Sequence, residues 1–420
     1  MRDSLWGPGA KDALSALTFV GDSAINATRK LGSNVLYLTL GRRMSTTGFV
    51  TFTSLTAEAA ATQVLLTHRP QVCEVQPAPE QRDIMWSNIS IPKKQTELRH
   101  TVANIFFAFG AIFWAIPVAF VQAVTSMSEL SKLIPFLSNL PTDSVWYSLL
   151  SGYLPVVALL GLINALPYVF QAAAESYEGC KSRSGVQLRV MTRYFYYQLA
   201  NIYITVTAGS IFDALQEIVE RPKDIFEILG RSFPSVAVYF VDLVIVKIFS
   251  GLTLELSRVW PLTRICWAQR CSNKELKTQR ELRRGAFAEP ELQYGWIYPT
   301  LLLVLIICLV YALISPFILP VGALYFALAT LVYKHQALYV YLPQYESGGV
   351  FWYDVFNMAL IGLVAAQITV IGYVALRGGI WQSPAMAPLP FIVAWFGYSS
   401  SSRYNAPSSR LSLERARQLD

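Results

Sequence analysis

Long apolar runs separated by short charged segments dominate the hydropathy pattern of this 420-residue chain. A helix that crosses the hydrocarbon core of a bilayer needs about 20 mostly apolar residues. Eight runs approach or exceed that length: 101–124, 146–174, 190–212, 233–254, 297–315, 317–341, 354–376 and 384–398. Most of these runs lack the polar face, repeated at helical spacing, that a soluble amphipathic helix shows. The pattern therefore predicts an all-α, polytopic membrane protein with about eight transmembrane helices.

The first 99 residues differ from the rest, because charged residues occur throughout them and no apolar run reaches about 18 residues. The sequence GFVTF at Gly48–Phe52 predicts a short strand, and the alanine-rich segment Ala57–Thr67 predicts a helix. Cys73–Lys94 contains the breaker Pro77-Ala78-Pro79 and predicts an extended linker into the first span. The Ser- and Arg-rich segment after Tyr398 is predicted to be disordered.

These features divide the chain into three parts. Residues 1–99 are predicted to form a cytoplasmic N-terminal region that ends in a linker. Residues 100–398 are predicted to form the transmembrane region, with a cytoplasmic loop at 255–295, and residues 399–420 a cytoplasmic tail.

The positions of the basic residues predict the orientation. Charged residues make up only 15% of the chain, below the roughly 25% of a soluble domain. The predicted side that carries both termini has 26 lysine and arginine residues, and the opposite side has 5. The positive-inside rule therefore places both termini in the cytoplasm. The net charge of +7 thus reflects cytoplasmic loops, and we expect no nucleic-acid partner.

The sequence contains none of the common catalytic signatures. It has no P-loop, HExxH, GxGxxG or GxSxG pattern, and none of its three histidines lies in a D-x-x-H block that would activate a serine. We therefore expect no enzymatic activity, no cofactor and no metal centre.

Ionisable residues within a span are costly and usually face a water-filled path or a charged partner. The fourth predicted span contains Asp242 and Lys247, and it ends near Glu255. Lys247, Gly251 and Glu255 are four residues apart, which aligns them along one side of a helix, whereas Asp242 faces elsewhere. Two interpretations stay open: these residues line an ion pathway, or Asp242 and Lys247 belong to interhelical ion pairs, with Arg193 of span three as the partner of Asp242. For Glu255 the alternative is a carboxylate at the membrane interface.

A second polar stripe runs along the third predicted span. Gln198, Asn201 and Thr205 share one helical face by their spacing. Such residues either form hydrogen bonds between helices or line a conduit beside the charged stripe of span four. We therefore treat all three as candidate ion-pathway residues, together with those of span four.

Several motifs, in order along the chain, resemble one channel family. The segments concerned are GFVTF (48–52), APEQRDIMWSNISIP (78–92), AIPVAFVQ (115–122), GLTLELSRVWPL (251–262), SPFILPVGALYFALATLVYKHQALYVY (315–341) and YESGGVFW (345–352). Together they resemble the OSCA-type family of hyperosmolality-gated and stress-gated, calcium-permeable cation channels, and the similarity extends from about Gly48 to Tyr404.

The resemblance implies a fold related to the anoctamin and TMC-like superfamily, with a pore among the helices that correspond to spans one to five. It implies a homodimer with one pore per protomer, a surrounding of membrane lipids, and calcium, potassium and sodium as permeant cations. It places Glu255 at a cytoplasmic constriction and Gly251 at a gating hinge in the same helix, whereas Lys247 stands where plant members carry an acidic residue. The plasma membrane is the location it favours, with endomembranes as the alternative.

The family has about eleven spans, so the resemblance also leads us to expect that the first three spans and most of the cytoplasmic domain are missing, in a truncated or a reduced form. Residues 1–99 would then be a remnant of that cytoplasmic domain plus the linker. We therefore expect a mechanosensitive, osmosensitive cation-channel pore module. Two alternatives stay open: a phospholipid scramblase of the same superfamily, and a non-conducting fragment or accessory subunit.

Overall fold

The computed structural model describes residues 45–64, 74–113, 161–162, 164–200, 237–238, 240–271, 290–379 and 381–420. Helices are the regular structure of this part of the chain, which contains no β-strand. The chain divides into two compact units, one made of the described residues up to Lys93 with Ser400–Asp420, the other of those within Lys94–Ser399.

The smaller unit is built around helices α1 (Leu55–Gln63) and α13 (Leu413–Leu419), which pack against each other. The hydroxyl of Ser54 caps α1 by accepting a hydrogen bond from the amide of Ala57 at 3.2 Å. The carboxylate of Asp420 accepts further bonds from the amides of Leu55 and Thr56, at 2.7 and 2.8 Å. Helices this short are marginal alone in water, so the caps and the packing of α1 on α13 stabilise both.

Two sequence predictions for this unit are wrong. Residues Gly48–Phe52 form no strand, since no neighbouring strand pairs with them in the described part of the chain, and Phe49 packs instead on the ring of Trp86. The segment after Tyr398 is helical rather than disordered, since the hydroxyl of Ser412 caps α13 and Ala416 is buried. The predicted helix at Ala57–Thr67 is confirmed by α1, although its last three residues lie outside the described ranges.

The larger unit begins with α2 (Lys93–Ile112), which continues into the first predicted span. Helix α3 (164–172) follows and ends in a π-helical segment, Ala173–Tyr177, before α4 (183–200). Helix α5 (240–246), the π-helical segment Lys247–Leu252 and α6 (Thr253–Ser257) are continuous in the fourth predicted span, and α7 (Val259–Cys271) follows.

The core of this unit is centred on α8 (Tyr294–Tyr311), which packs against α9 (Ile318–Tyr339) and α10 (Val350–Leu376). The sequence of α8 is nearly pure Leu, Ile and Val between its aromatic ends, so apolar residues bury much of its circumference. Residues from the middle of α4, from α5 and from the π segment of span four extend the same apolar cluster. Short α11 (Gln382–Met386) and then α12 (Pro388–Ser409) complete the helices.

Three of the described helices, α8, α9 and α10, are long and apolar enough to cross a membrane. They correspond to predicted spans five, six and seven. Predicted span eight falls within α11 and α12, which do not meet the same criteria, and predicted spans one to four are only partly described. The chain is therefore a helical, multi-pass membrane protein, and the count of about eight spans stays a prediction.

Candidate functional site

A π-helical segment interrupts the fourth predicted span directly before Glu255. It covers Lys247–Leu252, and the backbone returns to α-helical geometry at Thr253. Gly251 lies exposed in this segment, and a Cβ atom added to it would meet no other atom within 4 Å. Because π turns are rare and recur at functional sites, this segment is the candidate for a movable element of the helix.

Glu255 is held by two side chains from the end of α9. The hydroxyl of Tyr341 donates a hydrogen bond to Oε1 of Glu255. The side-chain amide of Gln336 donates a second bond to the backbone carbonyl oxygen of Glu255, at 2.8 Å. Gln336 is only 1% exposed, whereas Glu255 is half-buried. The carboxylate is therefore fixed by α9 and still reaches the surface of the described structure.

The helix ends three residues after Glu255 at a left-handed residue. Arg258 has φ 55° and ψ 32°, and its amide bonds to the carbonyl oxygen of Leu254 at 3.2 Å. Its guanidinium lies over the ring of Tyr341, 5.2 Å from the ring centre. Tyr341 thus contacts both Glu255 and Arg258, at the point where the fourth span turns into α7.

The structure separates the candidate residues of the sequence analysis. Lys247 is half-buried at the start of the π segment, and Asp242 is exposed on α5. Gln198 is buried on α4, and its Oε1 atom has no hydrogen-bond partner among the described residues. Asn201 and Thr205 lie outside the described ranges, so the predicted stripe of span three stays a prediction. Glu255 and Gly251 lie one turn apart on one short stretch of helix, and Glu255 contacts Tyr341 and Gln336.

A second polar cluster, which sequence reasoning missed, surrounds Glu178. This carboxylate is fully buried just after the π segment of α3, and it accepts hydrogen bonds from Arg189 and Arg193 of α4. Nδ1 of His100 on α2 lies 2.8 Å from Oε2, the carboxylate oxygen that also accepts from Arg189. The side-chain oxygen of Asn104 accepts from Nη2 of Arg193 at 2.7 Å. One carboxylate therefore ties together α2, the end of α3 and α4.

The electrostatics of this cluster favour the ionised carboxylate. Burial by itself raises the pKa of Glu178, but hydrogen bonds from Arg193 and His100 and the charges of Arg193 and Arg189 outweigh it and hold the pKa below its ordinary value. Arg193 pairs with Glu178 in the described part of the chain, rather than with Asp242 as one sequence interpretation had it. The available signal was Arg193 itself, because an arginine within a span requires a partner.

Residues 99–374 match the protein family described as "Calcium-dependent channel, 7TM region". The chain is 33% identical to "CSC1-like protein ERD4" of Brassica juncea, an alignment that covers 90% of this chain and 52% of that protein. It is 32% identical to "Hyperosmolality-gated Ca2+ permeable channel 3.1" of Arabidopsis thaliana over 90% of this chain and 52% of the relative. It is 30% identical to "Hyperosmolality-gated Ca2+ permeable channel 1.3" of the same plant, over 88% of this chain and 47% of that protein.

The chain thus spans about half the length of the curated relatives it matches. The matched range contains α8, α9 and nearly all of α10, and also both polar clusters. These similarities confirm the family resemblance seen in the motifs, and the chain belongs to the calcium-dependent channel family defined by this seven-transmembrane region.

Proposed function

We propose that the chain supplies the pore region of a mechanosensitive and osmosensitive, calcium-permeable cation channel. The observation that carries the proposal is the π segment with its unobstructed Gly251, one turn before the fixed carboxylate of Glu255, inside the region that matches the family. The relatives named as Ca2+ permeable channels support calcium, with potassium and sodium, as the permeant ions.

The mechanism rests on a difference between two states. Membrane tension favours an open state only if that state occupies more area in the membrane plane or contacts the bilayer differently. Gly251 lets the fourth span bend away from the pathway, since no side chain packs where its Cβ would be. Acidic side chains raise the local concentration of cations, so Glu255 attracts them to the inner mouth. Lys247, Asp242, Gln198, Asn201 and Thr205 complete the proposed pathway.

The same proposal includes the surroundings of the channel. Both termini lie in the cytoplasm of a plasma-membrane protein, and the protein acts as a homodimer. The basic segment that begins at Arg258 contacts anionic lipid headgroups, which attract each nearby basic residue by about 1 kcal/mol.

The experiment that tests the pathway uses the purified chain in liposomes under pipette suction. Glu255→Ala removes the proposed cation site, so we expect unitary cation current to fall severalfold, up to about tenfold at low ionic strength, and less at high salt. Glu58→Ala, an exposed carboxylate on α1, is the matched control and should leave the current unchanged. Equal currents in both variants would remove Glu255 from the pathway.

The hinge is tested separately with Gly251→Ala. The new methyl group meets no neighbour, so folding should be preserved, but alanine favours regular helix by about 1 kcal/mol over glycine. We expect a higher tension for half-maximal opening. Gly372→Ala, in open space on α10, is the control and should leave that tension unchanged. A fluorescent-lipid assay on the same liposomes separates the alternatives: lipid transfer without current indicates a scramblase, and neither activity indicates an accessory fragment.

A further inference from the structure

Among the described residues, the hydrogen bonds that Gln336 and Tyr341, at the end of α9, donate to the last turn of the fourth span both reach Glu255. We propose that Gln336 and Tyr341 are positioning residues that clamp Glu255 in the resting channel, and that this clamp opens when the channel opens. The inference rests on the proposed channel function, and it adds the element that controls the pathway carboxylate.

The clamp has two independent bonds to the same residue. Tyr341 bonds to the carboxylate of Glu255, and Gln336 bonds to its backbone carbonyl. The last carbonyl groups of a helix lack donors within the helix. Gln336 supplies the donor that the end of α6 cannot supply for Glu255. One bond therefore fixes the side chain, while the other fixes the helix end that carries it.

Gln336 has little reason to be buried except for this contact. Its side chain is 1% exposed although most of its neighbours on α9 are exposed, and its Oε1 atom has no hydrogen-bond partner among the described residues. Burial of an amide is costly unless its groups form hydrogen bonds. Within the described structure, the bond to Glu255 offsets that cost, so its loss while Gln336 stays buried would leave the amide without a partner.

The position of Tyr341 is fixed by the backbone of its own segment. Its amide bonds to the carbonyl oxygen of Gln336 at 2.9 Å, and the amide of Leu342 bonds to the carbonyl oxygen of Pro290 at 3.2 Å. The hydroxyl of Tyr341 is thereby directed at Glu255 by a segment with its own hydrogen bonds. The clamp is therefore anchored to the α8–α9 side of the unit rather than to the fourth span.

Arg258, the left-handed residue at the end of α6, is the backbone position that release of the clamp would affect. It is the one residue other than glycine with positive φ in the described ranges, and such a backbone is unfavourable for a residue with a side chain. Strained backbone persists only where its surroundings hold it. Here the guanidinium of Arg258 lies over the Tyr341 ring, so release of Tyr341 removes that support. Arg258 can then relax towards right-handed geometry, which would change the direction of α7 relative to α6.

The test measures the tension response of the reconstituted channel in two single variants. Tyr341→Phe removes only the hydroxyl and keeps the ring under Arg258, and Gln336→Met removes only the amide. We expect each to raise the open probability at a fixed low tension by about tenfold, because each removes one hydrogen bond, to a charged or a buried group, that stabilises the closed state. Tyr339→Phe, on a side chain that is 77% exposed, is the control and should change nothing.

Two further results separate a clamp from a merely structural contact. Unitary conductance should stay the same in Tyr341→Phe while the tension midpoint falls, and Tyr341→Phe should add no shift in a Glu255→Ala background. Loss of current with an unchanged midpoint, or fully additive shifts, would overturn the inference.

Hydrogen–deuterium exchange in liposomes gives a readout that needs no current. Amides of residues 255–262 should exchange faster in both clamp variants than in wild type or Tyr339→Phe. If wild type carries no current but this difference appears, the proposed channel function fails and the clamp stands. If current is present, and neither exchange nor tension midpoint changes in the variants, the clamp fails and the channel proposal stands.

Discussion

Removal of the carboxylate at Glu178 should destabilise the larger unit strongly. The perturbation is Glu178→Leu, which leaves two arginines without their shared partner. Arg193 matters most, because it is 7% exposed, whereas Arg189 and His100 are 24% and 36% exposed and can turn to water. Breaking a buried ion pair on one side costs about 3–5 kcal/mol. Asn104 and the ring of Phe107, 5.1 Å from the guanidinium, still contact Arg193, so we expect about 3 kcal/mol.

The assay is denaturant unfolding of the purified protein in mild detergent, followed by tryptophan fluorescence. Glu58→Gln is the control and should leave the free energy of unfolding unchanged, since that carboxylate is exposed. The double variant Glu178→Leu with Arg193→Leu should recover much of the loss, because no buried charge then lacks a partner. If Glu178→Leu lowers the free energy of unfolding by less than about 1 kcal/mol, which is what an exposed ion pair contributes, then Glu178 does not stabilise the unit as a buried partner of Arg193.

The same carboxylate predicts a pH dependence. The folded-state pKa of Glu178 lies below its ordinary value near 4.5, because its arginine and histidine partners outweigh the burial that alone would raise it. Its stabilising contribution is therefore fully present above pH 4.5 and is lost as the pH falls through the lower, folded-state pKa. Between pH 5 and 3, wild type should lose stability more steeply than Glu178→Gln, and parallel curves would contradict the assignment.

Two further predictions concern packing and thiol chemistry. A Cβ atom added at Gly362 would lie 2.5 Å from Cγ1 of Ile306, so Gly362→Ala should cost about 1–3 kcal/mol of unfolding free energy, whereas Gly372→Ala, in open space, should cost nothing. Burial raises the pKa of the Cys180 thiol to about 11, so iodoacetamide at pH 8 should modify exposed Cys266 in the folded protein and spare Cys180, as peptide mass spectrometry would show.

The sequence predicted well those features that depend on one segment alone. Helices α8, α9 and α10 follow from runs of apolar residues that are long enough to span a bilayer, whatever their neighbours. Local reasoning failed where a neighbouring element decides. Gly48–Phe52 has the composition of a strand but no described strand beside it, and the helix after Ser412 depends on a cap and on contact with α1.

The candidate site was predictable only in part, for the same reason. Glu255 and Gly251 could be chosen from motifs, because they occupy one helix. Tyr341 lies 86 residues from Glu255, and nothing in its local sequence shows that the two meet. The π segment is equally invisible in the sequence, and the structure packs it against α9. Glu178 lies in a charged loop, where a solvated carboxylate is the ordinary expectation.

The proposed channel is a tension-opened path for calcium. Its sharpest test is the reversal potential of suction-evoked current in liposomes that contain the purified chain, under a calcium gradient. We expect a current that appears with tension, reverses at a potential set by the calcium gradient and falls in Glu255→Ala. Patches of well-folded protein that stay silent under tension, or that carry a current unaffected by Glu255→Ala and by the calcium gradient, would contradict it.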